Sequence, residues 1–333
     1  MNPGLLGLVV VVLSIAACDV AAATRYLAIR IPQQAGYNTS ADAINASGVI
    51  AGNVTRSVDD YGDEEDVAAF VFSADNTLTR IAVPGSAARA YSINKKGEIV
   101  GSFQVNGHSR AFRFDGDVTT DVSLPGAGDS SATAINDNGD VAGIAAGHAF
   151  VLRAGKVIEL REESYALAIN AFGQIAGFVR TSQSGYRVFY HAGRYSDGGL
   201  EDLGALGDYA YALGINASGD VVGETFGSDN LPRPFIYTEG GMRYLGTMHG
   251  SANAINAAGN VVGYQFDDGA FRVFLYADGT INALDDLTDG LDGARLVSVN
   301  AINDAGQIAA RACVTGRGGE CFGVRLDPMP APP

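Results

Sequence analysis

Residues 254–263 read Ala-Ile-Asn-Ala-Ala-Gly-Asn-Val-Val-Gly, and versions of this phrase occur seven times along the chain. Every copy keeps the Asn and the Gly three positions later, and successive copies lie 34 to 49 residues apart. A period of this size indicates a stacked or circular array of one supersecondary unit. The repeated Asn residues are Asn45, Asn94, Asn136, Asn170, Asn216, Asn256 and Asn303.

Each copy predicts two apolar strands joined by a tight turn. The Asn side chain can accept a hydrogen bond from the backbone N–H two residues on, and the Gly then takes the left-handed position that ends a short hairpin loop. We therefore expect the seven Asn residues to be structural turn formers and not ligands, each contributing about 1 kcal/mol. A second Gly, seven positions after the Asn, indicates close backbone approach in the second strand, and Ala310 replaces it in the last copy.

Two further strands follow each phrase, an aromatic third strand such as residues 111–114 and a fourth such as residues 157–160. Their residues are apolar on both faces, as in sheets covered on both sides. An unrepeated strand at residues 26–31 precedes the first copy, whereas the last copy ends with its third strand at residues 321–326. The sequence therefore predicts an all-β fold, a seven-bladed β-propeller of four-stranded antiparallel blades, closed by the N-terminal strand pairing in the last blade.

The triplet His148-Ala149-Phe150, together with the Ile-Asn-x-x-Gly-x-Val-x-Gly phrase, resembles the HAF family of extracellular repeat proteins of bacteria. The resemblance covers about residues 26–326. The triplet is intact once only, and the chain has no Trp where the family often places one. The resemblance supports the repeat class and implies nothing about activity.

The N-terminal residues indicate export. The apolar run at residues 5–17 is too short to span a membrane and is typical of a signal peptide. Residues 15–18 resemble a bacterial lipobox in which Cys18 is lipidated, so that the protein would be a membrane-anchored lipoprotein of the cell envelope; cleavage at Ala23 would instead give a secreted or periplasmic protein. The predicted division is 1–17 signal peptide, 18–24 short tether, 25–327 single β-propeller domain and 328–333 disordered Pro-rich tail.

The other two cysteines, Cys313 and Cys321, flank a short hairpin of the last repeat. In an exported protein this spacing predicts a disulfide bond. The chain-entropy model gives it about 2 to 3 kcal/mol. A metal site, which would lack a nearby His, and a redox pair, which is more often Cys-x-x-Cys, are weaker alternatives.

The net charge of −15 argues against a nucleic-acid partner, because phosphate contacts need a basic face. The sequence contains four His residues and none of the common nucleophile-elbow, zinc-helix or phosphate-loop motifs. We expect a monomer that contacts a membrane only through an N-terminal lipid.

Two acidic stretches are candidate calcium ligands, although neither has the EF-hand spacing. A solvated acidic loop is the favoured interpretation, and no cofactor is predicted. The candidate ligands are Asp59, Asp60, Asp63 and Glu64 in the first stretch and Asp285, Asp286 and Asp289 in the second.

The connections between strands predict two unlike faces. If the strand before each Asn is innermost, the Asn turns share one face, the turn face, with the tight turns between third and fourth strands. The longer connections share the opposite face, the loop face, where their lengths vary, and such loops usually bind ligands. The candidate ligand-binding residues there are Tyr61, Tyr209, Tyr211 and His249.

The leading functional hypothesis is a non-catalytic scaffold that binds a glycan, a peptide or a surface protein through the loop face. A propeller enzyme acting on a polysaccharide or similar substrate is an alternative, and it needs two carboxylates or a His that converge near the central channel. A structural envelope protein is the third possibility. Charged and aromatic side chains at one channel mouth would favour binding or catalysis.

Overall fold

The computed structural model describes residues 23–57, 64–126, 128–160, 163–184, 187–197, 199–267, 269–315 and 319–330. The predicted signal peptide and Cys18 lie outside these residues. Within them, no helix is long and apolar enough to cross a membrane.

Seven four-stranded antiparallel blades form a β-propeller, which confirms the predicted fold; six blades consist of four consecutive strands, and the seventh includes the N-terminal strand. Blade 1 contains β2 (Asn38–Ile44), β3 (Ile50–Ser57), β4 (Glu64–Phe72) and β5 (Leu78–Arg80). Blade 2 contains β6 (Ser86–Ile93), β7 (Ile99–Val105), β8 (His108–Phe114) and β9 (Thr119–Asp121). Blade 3 contains β10 (Ser130–Ile135), β11 (Val141–Ala145), β12 (His148–Arg153) and β13 (Lys156–Glu159).

The remaining blades follow the same order. Blade 4 contains β14 (Ser164–Ile169), β15 (Ile175–Ser184), β16 (Arg187–Ser196) and β17 (Gly199–Gly204). Blade 5 contains β18 (Tyr209–Ile215), β19 (Val221–Phe226), β20 (Pro232–Thr238) and β21 (Gly241–Tyr244). Blade 6 contains β22 (His249–Ile255), β23 (Val261–Asp267), β24 (Ala270–Ala277) and β25 (Thr280–Ala283). A short connection, α1 (Leu284–Leu287) and β26 (Thr288–Asp289), leads to blade 7, which contains β27 (Ala294–Ile302), β28 (Ile308–Val314), β29 (Cys321–Pro328) and β1 (Tyr26–Arg30).

The ring is closed by the N-terminal strand. β1 pairs antiparallel with β29 along its whole length, from Tyr26 opposite Pro328 to Arg30 opposite Val324. The Met329 N–H also donates to the Arg25 carbonyl, so the pairing continues one residue beyond β29. β26 adds a parallel bridge on the outer side of β1, which covers the edge of this blade.

The core lies between neighbouring blades, where the third strands contribute buried phenylalanines. Phe70 is fully buried directly opposite Gly52. A Cβ atom at Gly52 would lie 2.4 Å from the Phe70 ring and 2.2 Å from the Ser40 carbonyl oxygen, so a side chain cannot fit there. In blade 7, Ala310 faces Val324, and β27 has two register shifts, which accounts for the one repeat without this Gly.

The seven repeated asparagines are buried and join the blades into a ring of hydrogen bonds. In Asn45, the side-chain oxygen accepts the backbone N–H groups of Ser47 and Val49. Its Nδ2 donates to the Asn94 carbonyl at 3.1 Å, across the boundary between blades 1 and 2; we call each boundary between neighbouring blades a seam. Every later Asn makes the same bond to the next blade, and Asn303 closes the ring by donating to the Asn45 carbonyl at 2.9 Å. The sequence indicated the turn but not this closed ring.

The disulfide bond between Cys313 and Cys321 is confirmed, and the two residues are direct cross-strand partners in β28 and β29. We expect intact-mass measurement to show a gain of two hydrogen atoms on reduction. The double substitution Cys313→Ser and Cys321→Ser should lower the unfolding free energy by about 2 to 3 kcal/mol. Two free thiols in protein purified from an oxidising compartment would contradict this bond.

Candidate functional site

The inner strands of all seven blades surround a central channel with a cavity of about 210 Å³. One side chain per blade, three positions before the repeated Asn, lines this cavity. These residues are Asp42, Tyr91, Thr133, Leu167, Leu213, Asn253 and Asn300. The antiparallel strand order places the Asn turns at one end of the channel and the longer connections at the other, as the two faces were defined from the sequence.

Polar channel residues bridge some seams between blades. Asn253 donates to the Val299 carbonyl at 2.8 Å, and Asn300 donates to the Ala41 carbonyl at 2.8 Å. In blades 4 and 5 this position is Leu, which cannot make the bond. The bridge is therefore absent at the seams after blades 4 and 5, and in blades 1 and 2 Asp42 and Tyr91 hydrogen-bond within their own blades instead.

The turn face is used for contacts that hold the ring together. Besides the Asn ring, Arg153 donates to the Gly173 carbonyl at 3.1 Å, and Arg325 donates to the Gly48 carbonyl at 3.2 Å. Each Arg thus reaches from a third strand to the Asn turn of the next blade. These contacts join neighbouring blades at the turn face.

Aromatic side chains gather at the loop-face ends of blades 4 and 5, where the bridges are missing. We call five of them the aromatic wall: Tyr165, Phe178, Tyr190, Tyr211 and Phe226. Phe178 stacks on Tyr165 with ring centroids 4.4 Å apart, and Tyr211 packs against Phe178 at 4.7 Å and Phe226 at 5.7 Å. All five side chains are partly exposed, so they form a continuous aromatic surface that is accessible to solvent.

Two smaller aromatic groups flank the wall. Tyr209 stacks on Phe189 at 5.6 Å on the blade 4 side. On the blade 6 side, Phe266 and Phe271 are exposed and pack with Tyr264, with centroid distances of 5.4 to 5.8 Å within this trio. Of the predicted binding residues, Tyr209 and Tyr211 therefore lie on this aromatic surface.

Glu224 lies on β19 opposite Tyr211, at the seam between blades 5 and 6. Burial raises the pKa of its carboxyl group above the ordinary value of 4.5, and the Ser251 hydroxyl lowers this pKa in part. That hydroxyl does not reach hydrogen-bonding geometry, so it remains without a partner among the described residues. Burial also raises the pKa of Tyr211 and of Tyr264, and the nearby Glu224 charge adds to both shifts.

His249 begins the inner strand of blade 6, two residues before Ser251. Its Nδ1 atom is buried and has no hydrogen-bond partner in the described part of the chain. The Asp229 pKa is lowered mainly by its hydrogen bond to Arg233, and His249 contributes to this lowering through its charge. His249 therefore faces blade 5, on the same seam as Glu224.

A second buried carboxyl group, that of Asp42, lies in the channel at blade 1. Asp42 accepts hydrogen bonds from the Ser40 hydroxyl at 2.5 Å and from the Asn53 amide at 2.9 Å. Burial raises its pKa, and Ser40, Arg89, Asn53 and Arg311 each lower it in part. Asp42 thus has cationic neighbours, whereas no cation contributes to the Glu224 pKa.

The predicted acidic loop at 285–292 makes internal contacts. Asp285 accepts the Leu296 N–H at 3.0 Å, Asp289 pairs with Arg25 at 2.6 Å, and Asp286 lies 4.0 Å from Arg272. These residues line a cavity of about 540 Å³ near the outer edge of blade 7. Over the residues described, no group of three or more His, Cys, Asp or Glu side chains is placed to hold a metal ion.

The first acidic stretch falls on residues that are not described. Tyr61, Asp59, Asp60 and Asp63 lie outside the described ranges, and nothing is said of the Glu64 side chain. Their predicted roles stay predictions.

Sequence reasoning missed Phe178, Glu224 and Asp42. A signal for the first two existed in the repeat itself, eight positions after each Asn, where the residue type changes from copy to copy. The residues there are Asn53, Ser102, Ile144, Phe178, Glu224, Tyr264 and Arg311.

Solved structures share this architecture at low sequence identity. The β-propeller domain of the Trilobed protease from Pyrococcus furiosus, which has an open velcro topology, matches with a TM-score of 0.61 and 12% identity, over 88% of this chain and 94% of that one. Acylaminoacyl peptidase from Pyrococcus horikoshii matches with a TM-score of 0.61 and 13% identity, over 87% of this chain and 52% of that one. Virginiamycin B lyase from Staphylococcus aureus matches with a TM-score of 0.56 and 15% identity, over 91% of this chain and 100% of that one.

At such identities the likeness shows the fold alone. No family model matches the chain, and no curated protein matches it. The fold and the site define a seven-bladed β-propeller with an aromatic surface at the loop face of its channel.

Proposed function

We propose that this protein is an exported, non-catalytic binding propeller of the HAF-repeat type that takes a glycan on the loop face. The repeated phrase and the His148-Ala149-Phe150 triplet support the family assignment. The apolar N-terminal run supports export, and lipidation at Cys18 would hold the propeller at the cell envelope. Metabolic labelling with a palmitate analogue should mark the parent and leave Cys18→Ser unlabelled; equal labelling would contradict the anchor.

The aromatic wall is the observation that carries the binding function. A sugar ring has a face of C–H groups and a rim of hydroxyl groups, so it packs on partly exposed aromatic rings that have polar groups beside them. Tyr165, Phe178 and Tyr211 supply such rings, and Glu224 and Ser251 lie next to them. Peptides offer fewer flat C–H faces, which makes a glycan the better match.

Tyr211→Ala should weaken glycan binding by about tenfold or more, because truncation of a central aromatic anchor typically has such an effect. The measurement is binding to a printed array of bacterial cell-wall and plant oligosaccharides, followed by calorimetry on the best probe. Tyr209→Ala should give a smaller loss, because Tyr209 stacks at the edge of the surface.

Phe172→Ala is the matched control, because this ring is 75% exposed in an Asn turn on the opposite face. It should bind like the parent. Loss of binding in Phe172→Ala together with normal binding in Tyr211→Ala would move the site to the turn face.

A polysaccharide-active enzyme is the second candidate, favoured by one specific observation. Asp42 and Glu224 both have raised pKa values, as a general acid requires. They belong to blades 1 and 5, and no contact joins them. Release of reducing ends from the best-binding oligosaccharide by the parent, and none by Glu224→Gln, would favour this alternative over binding alone.

A further inference from the structure

Two buried polar atoms without partners lie in the seam between blades 5 and 6. Ser251 is 1% exposed, and its hydroxyl group has no hydrogen-bond partner among the described residues. The buried Nδ1 of His249, two residues earlier, also has none there. Buried polar groups are nearly always hydrogen-bonded in native proteins, so two on one side of one strand point to a ligand.

The backbone holds these two side chains in place. Gly250, between them, has a φ of +152°, and a Cβ atom there would lie 2.0 Å from the Tyr264 carbonyl oxygen. Only Gly fits so close to β23. His249 and Ser251 therefore project from a strand that is pressed tightly onto its neighbour, as a rigid binding site requires.

The charge around Glu224 favours an uncharged ligand. Glu224 faces Tyr211 from β18, Pro234 from β20, Ser251 from β22 and Tyr264 from β23, and none of these side chains is cationic. His249, two residues before Ser251, is the one subsite residue that can carry a positive charge. The Arg233 guanidinium of the same blade is already paired, because it donates a hydrogen bond of 3.0 Å to the Asp229 carboxylate. A ligand carboxylate placed here would be buried beside Glu224 with no Lys or Arg to pair with it.

The same position in blade 1 shows how a side chain there can join two blades. Asn53 donates to the Ala90 carbonyl at 3.0 Å and accepts the Ala90 N–H at 2.8 Å, so its neutral amide joins blades 1 and 2. Glu224 makes no such bond to blade 6 within the described residues. A protonated carboxyl group can both donate and accept a hydrogen bond, as an amide does. The Glu224 carboxyl group can therefore make both kinds of bond at the seam between blades 5 and 6.

We propose that this seam is a subsite for one uncharged, hydroxyl-rich ring of a neutral glycan, held by hydrogen bonds to Glu224, Ser251 and His249. The subsite rests on the glycan-binding function proposed above. Glu224 in its neutral form donates a hydrogen bond to a ligand hydroxyl, and Ser251 and His249 bind neighbouring hydroxyl groups. It is a specificity determinant, because a ligand carboxylate in this buried seam would lose its hydration without gaining a Lys or Arg partner.

The test is an array of matched neutral and uronate-containing oligosaccharides, probed from pH 5 to pH 8 and followed by calorimetry with the best neutral hexasaccharide. We expect the parent to bind neutral probes only, and to bind them several-fold more weakly as the pH rises through the folded pKa of Glu224, because the carboxylate can no longer donate a hydrogen bond. Glu224→Gln should bind with little pH dependence, and Ser251→Ala should bind about tenfold more weakly at every pH.

Glu239→Gln is the matched control, since this exposed Glu lies in the same blade on the turn face. It should behave like the parent. Loss of binding in Tyr211→Ala, with parent-like behaviour of Glu224→Gln and Ser251→Ala, would overturn the subsite and leave the proposed function intact. Binding of uronate-containing probes equal to neutral ones would also overturn it, and no binding of any probe would overturn both.

A measurement without ligand checks the state of Glu224. Its pKa is raised in the folded protein, so the associated stability is fully present below pH 4.5 and is lost as the pH rises through the folded pKa. Glu224→Gln cannot ionise, so it should unfold at a higher temperature than the parent at pH 8 and at the same temperature at pH 4. Equal unfolding temperatures at both pH values would show that the seam does not favour the neutral carboxyl group.

Discussion

Deletion of residues 24–32 is expected to give a protein that aggregates or fails to fold. These residues include all of β1, whose backbone pairs with β29 at five positions. Without them the edge of β29 is unpaired, and an exposed edge strand promotes aggregation. The deletion also removes Ile31, a fully buried residue whose burial is worth about 1.5 to 3 kcal/mol.

Solubility and thermal unfolding of the deletion variant are the measurements. A synthetic peptide of residues 23–33, added during refolding, should restore part of the soluble fraction because it can occupy the same edge. A scrambled peptide is the control. If the deletion variant were as soluble and as stable as the parent, closure through β1 would not be what holds the ring.

Asn136→Ala is expected to lower the unfolding free energy by about 3 to 5 kcal/mol, which is more than loss of the turn bonds alone would cause. The substitution removes four hydrogen bonds worth about 1 kcal/mol each and leaves their buried partners unpaired. Its Oδ1 accepts the N–H groups of Asn138 and Asp140. Its Nδ2 donates to the Asp140 carboxylate and, across the seam, to the Asn170 carbonyl at 3.2 Å. Chemical denaturation gives the value directly.

Asn260→Ala is the matched control, because this Asn also follows a repeat turn but its side chain makes no hydrogen bond among the described residues. It should change stability by less than about 0.5 kcal/mol. Asn136→Asp separates the two roles, since it keeps the accepted bonds of the turn and loses the donated bonds of the ring. Parent-like stability of Asn136→Asp would show that the bond between blades contributes little.

The proposed functional surface lies where the repeat departs from its polar channel residues. At the seams after blades 4 and 5, Leu167 and Leu213 replace the polar residues that bridge other seams. Aromatic rings and Glu224 occupy the same region. Apolar channel residues and the aromatic surface therefore coincide at these two seams, which supports a binding role there.

The sequence by itself determined the architecture, because a phrase repeated seven times carries its local chemistry in consecutive residues. Asn256 and Gly259 predict the same turn wherever they occur, and the unmatched strand at residues 26–31 predicts the closure of the ring. The sequence also predicted that Tyr209 and Tyr211 lie on the loop face, because they stand at the start of an inner strand.

Only the tertiary structure decided which residues meet across a seam. The bond from Asn45 to Asn94 joins residues 49 positions apart, and the bond from Asn303 to Asn45 joins residues 258 apart. Glu224 and Ser251 come together in the same way, from different blades. Spacing within one repeat does not fix the rotation between neighbouring blades, so these contacts and the pKa shift of Glu224 depend on packing that no local pattern records.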